Sequence, residues 1–103
     1  MVGVGGEIDL STAPAFEAAV ATALKEEPAV LVIDLSDVTF MASVGLRILV
    51  ATQEELRESV QVAVVANSPA TSRPIEMTGL HEIITLYSTL DDALAAEKRH
   101  AGD

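Results

Sequence analysis

Cysteine is absent from the 103 residues, and so is tryptophan. Without cysteine there are no disulfides, thiolate metal sites or cysteine nucleophiles, which fits a reducing compartment, so a cytoplasmic location is expected. Aromatics make up only 3% of the chain, so its core must be aliphatic. Basic residues are scarce, 6 against 16 acidic, for a formal net charge of -10. Such a surface repels phosphate backbones, and nucleic acid is not an expected partner. Long apolar runs are missing too. None approaches the roughly 20 residues that span a bilayer, so direct membrane insertion is not expected. Met1-Val2-Gly3-Val4 has no basic flank and does not read as a signal peptide.

Half of the residues are apolar, and the length suits one domain over 1–103. A chain of this size buries roughly 65% of its unfolded surface, enough for one core.

The stretch Leu31–Leu49 organises the rest. The apolar run Val30–Ile33 ends at Asp34 and reads as a strand buried on both faces, Val30–Leu35. Ser36-Asp37 reads as a polar bend, after which Phe40 and Met41 are expected to return under cover. Ser43 stands where a helix should begin, reaching about Glu58. Its stripe is Leu46, Leu49, Val50 and Leu56, and its outer face carries Arg47, Glu54, Glu55, Arg57 and Glu58.

Before this stretch, Val2–Ile8 reads as a strand weakened by glycine. Ser11 or Thr12 caps a helix over about Ala13–Glu26, with Phe16, Val20 and Leu24 inward and Pro28 beyond its end. After it, Gln61–Ala66 is a strand. A short helix is expected from near Ser72, with Pro74 in its first turn, to Thr78, where Gly79 takes the left-handed conformation. Ile83–Tyr87 is a brief strand. A last helix, about Leu90–His100, follows Ser88 or Thr89, and the tail from 100 should fray. Strand and helix alternate four times, which predicts an α/β domain: a mostly parallel mixed sheet of about four strands with about four helices.

Enzyme motifs are lacking. There is no Gly-Lys-Ser/Thr phosphate loop, no Gly-x-Ser-x-Gly elbow and no His-Glu-x-x-His. No catalytic residue, metal or cofactor is expected. His81 and His100 read as solvent-exposed, and Met41 and Met77 as core filler. Asp9, Asp34 and Asp37 lie at strand ends or loops, where turn formation explains them at least as well as chemistry. The sheet could gather Asp9 and Asp34 at the edge that carries Ser43, as a small enzyme or nucleotide-binding protein would need. Ser43 suits helix capping, worth about 1 kcal/mol over alanine. It also suits phosphorylation, because a helix start tolerates a phosphate of about -1.5 to -2 charges.

Four segments carry a resemblance. Gly6-Glu7-Ile8-Asp9-Leu10-Ser11-Thr12-Ala13-Pro14, Leu31–Met41, Ser43-Val44-Gly45-Leu46 and Met77-Thr78-Gly79-Leu80 occur in order over nearly the whole chain. Together they resemble the STAS-domain anti-sigma factor antagonists of bacteria. The resemblance implies a partner, an anti-sigma factor that is a serine kinase of the histidine-kinase-like ATPase fold. It implies capture of that kinase by the unphosphorylated antagonist, release on phosphorylation, and resetting by a phosphatase. The family's phosphoacceptor matches Ser43, within Ala42-Ser43-Val44-Gly45. Docking is expected over Leu35–Leu49, with Ser36, Asp37, Met41, Ala42, Ser43, Val44, Gly45 and Arg47, and with Asp9 from the first loop. Two departures stand out: Ala42 where the family has aspartate, and Val44 where small residues are usual. A phosphorylation-independent antagonist is thus one alternative, and a STAS subunit of a transport complex or stress-sensing assembly is another. The family has a further strand before Gly6, and here only Met1–Val4 stand in its place. Either the start is truncated or the sheet has lost an edge strand, and weak homodimerisation through Val2–Ile8 is expected.

Overall fold

The computed structural model describes residues 1–56 and 60–101, with the backbone alone at 97 and 99–101. Strands β1 (Val2–Ile8), β2 (Val30–Met41), β3 (Gln61–Val65) and β4 (Thr85–Tyr87) alternate with helices α1 (Ala13–Leu24), α2 (Ser43–Leu56), α3 (Pro69–Met77) and α4 (Leu90–Ala101). The four strands form one sheet in chain order, β1-β2-β3-β4. All three pairings are parallel, so the mixed pairing allowed for in the sequence does not occur among the described residues.

The two faces of the sheet are covered unequally. Leu31, Ile33 and Leu35 of β2 and Val62 and Val64 of β3 pack with Phe16 and Val20 of α1, Ile48 and Leu49 of α2, and Ile75 of α3. The alternate residues Val30, Val32, Ala63 and Val65 pack with Ala93 of α4, flanked by Leu90 and Tyr87. Three helices therefore share one face and a single helix closes the other. This explains why Val30–Ile33 is apolar at every position. Buried polar side chains are few and satisfied: Thr52 Oγ1 donates to the Ile48 carbonyl (2.7 Å) and Thr71 Oγ1 to that of Ser68 (3.2 Å).

The largest departure from the sequence reading is β2 itself. Ser36-Asp37 is not a bend, because the strand continues to Met41 along β1. Gly3 and Gly5 lie opposite Asp34 and Asp37, and Gly6 and Glu7 lie opposite Val38 and Phe40. Each step gives β2 one residue more than β1, a pair of bulges. The inward positions consequently become Leu35, Val38 and Met41, three apart rather than two. Phe40 is thereby turned outward and is 52% exposed, contrary to its expected burial, while Met41 is buried as expected.

Other boundaries move for local reasons. α3 starts at Pro69 rather than near Ser72, because Ser68 is extended and Pro69 fits the first turn. Pro74 then sits inside the helix, where its missing N–H costs one helical hydrogen bond. Met77, expected in the core, is 83% exposed at the helix end. Gly79 is left-handed as expected (φ 76°) and opens a short 3-10 turn, Leu80–Glu82, that displaces the start of β4 to Thr85. The Thr89 hydroxyl accepts from the Asp92 amide (3.1 Å) at the start of α4. The expected roles of Arg57 and Glu58, the His100 side chain and the extreme tail fall outside the described residues.

Candidate functional site

The C-terminal ends of β1 and β2 are joined where α2 begins. The Ala42 amide donates to the Ile8 carbonyl (2.8 Å), and the Gly45 amide donates to the Ala42 carbonyl (2.9 Å). Gly45 is buried. A Cβ on it would lie 2.7 Å from Met41 Cγ and 2.9 Å from Ile8 Cγ2. Only glycine lets the first turn of α2 approach the last residues of the two strands this closely. The glycine thus acts on the mounting of the helix and not on its chemistry.

Ser43 is the first residue of α2, and Ala42 stands at the cap position. The expectation that Ser43 caps the helix is corrected by one residue. Its side chain is exposed, and among the described residues its hydroxyl makes no hydrogen bond. Val44 is half-buried beside it, and Arg47 is exposed one turn further on.

Asp9 follows Ile8 and therefore lies at this same end. Its Oδ1 accepts from the Ser11 amide (2.9 Å), the Ser11 hydroxyl (2.6 Å) and the Thr12 amide (3.1 Å). The Thr12 hydroxyl donates to the Glu7 carbonyl (2.9 Å) and accepts from the Asp9 amide (2.9 Å). The Ser11 hydroxyl, followed by the Thr12 amide, holds the Asp9 carboxyl below its ordinary value. Asp9 thus organises a rigid turn, and that turn presents Leu10, which is 80% exposed.

Asp34 does not join this group. It lies opposite Gly3 and Val65, seven residues before Met41 and so roughly 20 Å back along the strand. Its Oδ1 accepts from the Ser36 amide (2.9 Å) and, through a short contact, from the Ser36 hydroxyl. The carboxylate pair Asp9 and Asp34 is therefore not assembled beside Ser43. Asp37 is exposed on the bulged part of β2. Among the described residues no group of three metal-capable side chains converges.

Two apolar side chains at this end escaped the sequence reading. Leu10 follows an aspartate in a polar segment, and nothing in the sequence marks it as protruding. Phe40 had a signal in the three-residue step from Val38 to Met41. Beside the site, a groove of about 440 Å³ runs between α1 and α2, with Val20, Leu24 and Val44 among its apolar lining and Glu17, Arg47 and Glu55 as its charges.

Residues 1–93 match the STAS domain, and the chain belongs to the STAS domain family. It is 50% identical over 94 residues to the anti-sigma-F factor antagonist RsfB of Mycobacterium tuberculosis, covering 91% of this chain and 77% of that protein. An anti-sigma-B factor antagonist of Listeria monocytogenes is 37% identical over 84 residues, 81% of this chain and 74% of its own. The crystal structure of an anti-sigma factor antagonist from Mycobacterium paratuberculosis superposes with a TM-score of 0.87 at 53% identity, covering 93% of this chain and 82% of that one.

Proposed function

We propose that this chain is an anti-sigma factor antagonist, a binding module without catalysis of its own. It docks on an anti-sigma factor through the end of the sheet where Ser43, Asp9 and the bulged part of β2 meet. The observation that carries this reading is Ser43 itself. Its hydroxyl is exposed and unengaged among the described residues, on a helix start fixed to Ile8 and Met41. The names of the similar proteins supply the partner class.

The partner is a serine kinase of the histidine-kinase-like ATPase fold. The γ-phosphoryl of its ATP passes to Ser43 Oγ. The Oγ–P bond forms, the bridging β,γ P–O bond breaks, ADP leaves, and the hydroxyl proton goes to a base on the kinase. The phosphate adds about -1.5 to -2 charges at the docking surface. Because no intramolecular bond of the hydroxyl is lost, the fold is unchanged while docking is opposed. A cytoplasmic phosphatase resets the serine by hydrolysis, releasing inorganic phosphate.

A second reading rests on Ala42. Ala42, immediately before Ser43, carries no carboxylate, so antagonism independent of phosphorylation is its alternative form. Parallel pull-downs from host lysate with wild type, Ser43→Glu and Ser43→Ala separate the two. Capture of a histidine-kinase-like ATPase by wild type and Ser43→Ala, with at least about tenfold loss in Ser43→Glu (about 1.4 kcal/mol), is the expected result. Equal capture by all three baits removes the switch and leaves the second reading. Capture of a transporter subunit in place of the ATPase overturns both.

A further inference from the structure

Arg47 stands four residues after Ser43 on α2, and both side chains are exposed. Residues at that spacing share one helix face, with Cβ atoms about 5–6 Å apart, and an acid placed before a base is the favourable order. Among the described residues Arg47 makes no ion pair, although the chain carries 16 acidic residues against 6 basic ones. Glu17 of α1 and Glu55 of α2 line the same groove as Arg47. The residues that flank Ser43, Ala42 and Val44, carry no charge. A phosphate on Ser43 therefore meets one uncommitted cation, one helical turn away.

We infer that Arg47 senses the phosphorylation state of Ser43. In the unmodified protein its guanidinium is open to a carboxylate on the anti-sigma factor. Once Ser43 is phosphorylated, Arg47 closes on the phosphate, donating two N–H groups to its oxygens as a guanidinium does and an ammonium does not. One modification then changes the docking surface twice: it adds an anion, and it withdraws the cation that the partner would have met. This inference rests on the reading of Ser43 as the phosphoacceptor. It adds a positioning residue that acts through the phosphate.

The test places phosphoserine at position 43 of the whole chain by genetic code expansion, so no kinase is needed. The second ionisation of the phosphate, near pH 6 in free phosphoserine, is followed by 31P NMR in wild type, Arg47→Gln and Arg47→Lys. The charged groups that share the groove with Arg47 are Glu17 and Glu55, the latter roughly 18 Å along α2 from Ser43, and Asp9 lies in the turn at the same end of the sheet. All but Arg47 are common to the three proteins, so differences isolate that side chain. The expected second pKa is lower in wild type than in Arg47→Gln by about half a unit, about threefold in proton affinity, as suits an exposed pair. Arg47→Lys falls between them, and added salt narrows the gap. Identical titrations in wild type and Arg47→Gln overturn the inference. A second measurement uses the captured anti-sigma factor. Arg47→Gln should weaken the unmodified complex and shrink the affinity ratio between unmodified and phosphorylated forms, and an unchanged ratio overturns the partner half of the inference. A shifted titration with no ATPase-fold partner captured counts against the docking reading alone.

Discussion

β2 contains two strands' worth of behaviour in one element. From Val30 to Leu35 it follows the rule for a central parallel strand, with every apolar side chain buried and helices on both faces. From Ser36 to Met41 it has two bulges, a neighbour on one edge only, and side chains that are partly or fully exposed at four of six positions. The first half holds the domain together. The second half tolerates exposure and aims the start of α2. The difference teaches that burial and exposure are separated along a single strand rather than assigned to different layers of the fold.

The largest effect that would sharpen this contrast lies in the first half. Leu35 is fully buried, and Leu35→Ala should cost about 2–5 kcal/mol, a large share of the roughly 5–15 kcal/mol that holds a domain of this kind. Phe40→Ser, five residues on, should stay within about 1 kcal/mol. Urea unfolding of both variants measures the ratio, and equal losses would break the comparison. Gly45→Ala comes next. Crowding against Ile8 and Met41 costs about 1–3 kcal/mol, while the better helix propensity of alanine returns at most about 1 kcal/mol. The net result should be a lower melting temperature together with weaker partner binding, because the start of α2 is pushed off the strands.

The smallest effect concerns Asp9. Its folded pKa lies below the ordinary value of 3.8, chiefly through the Ser11 hydroxyl and then the Thr12 amide. A depressed carboxylate stabilises the fold above its unfolded pKa, and that contribution is lost as the pH falls through the folded value. Asp9→Asn should therefore melt slightly below wild type at pH 7, with the gap closing as the pH drops under 3.8. A gap that persists in acid would mean that the turn depends on shape rather than charge.

Much of the architecture was legible in the residues. Alternating strand and helix patterns located all eight elements, Phe16 and Val20 faced inward as their spacing demands, and Gly79 took its left-handed turn. What was hidden depends on neighbours in space. Ser36 and Asp37 have the composition of a bend, and only pairing with β1 keeps them in a strand. The bulges are set by pairing with β1, and the three-residue step from Val38 to Met41 is their one trace in the residues, too slight to turn Phe40 outward against its apolar character. Pro74 has the properties of a helix start, but Ser68-Pro69 had already supplied one. At the candidate site, turn chemistry marks Asp9, whereas the capping role that singled out Ser43 falls to the position before it, Ala42. Asp34 was misplaced because its distance from Ser43 is set by strand register, and Leu10 was missed because exposure of one apolar residue has no pattern.

The order of the sheet has a consequence for how the molecule is made. Each strand pairs only with its neighbours in the chain, so a polypeptide emerging from the ribosome can complete each β-α-β unit before the next is synthesised, as domains that fold from their N-terminus do. The exception is the face closed by α4, whose cover is the last element to appear. Until Leu90 and Ala93 arrive, Val30, Val32, Ala63 and Val65 remain open to water on an otherwise finished sheet. The synthesis of α4 is thus the step that buries the second apolar face of the sheet.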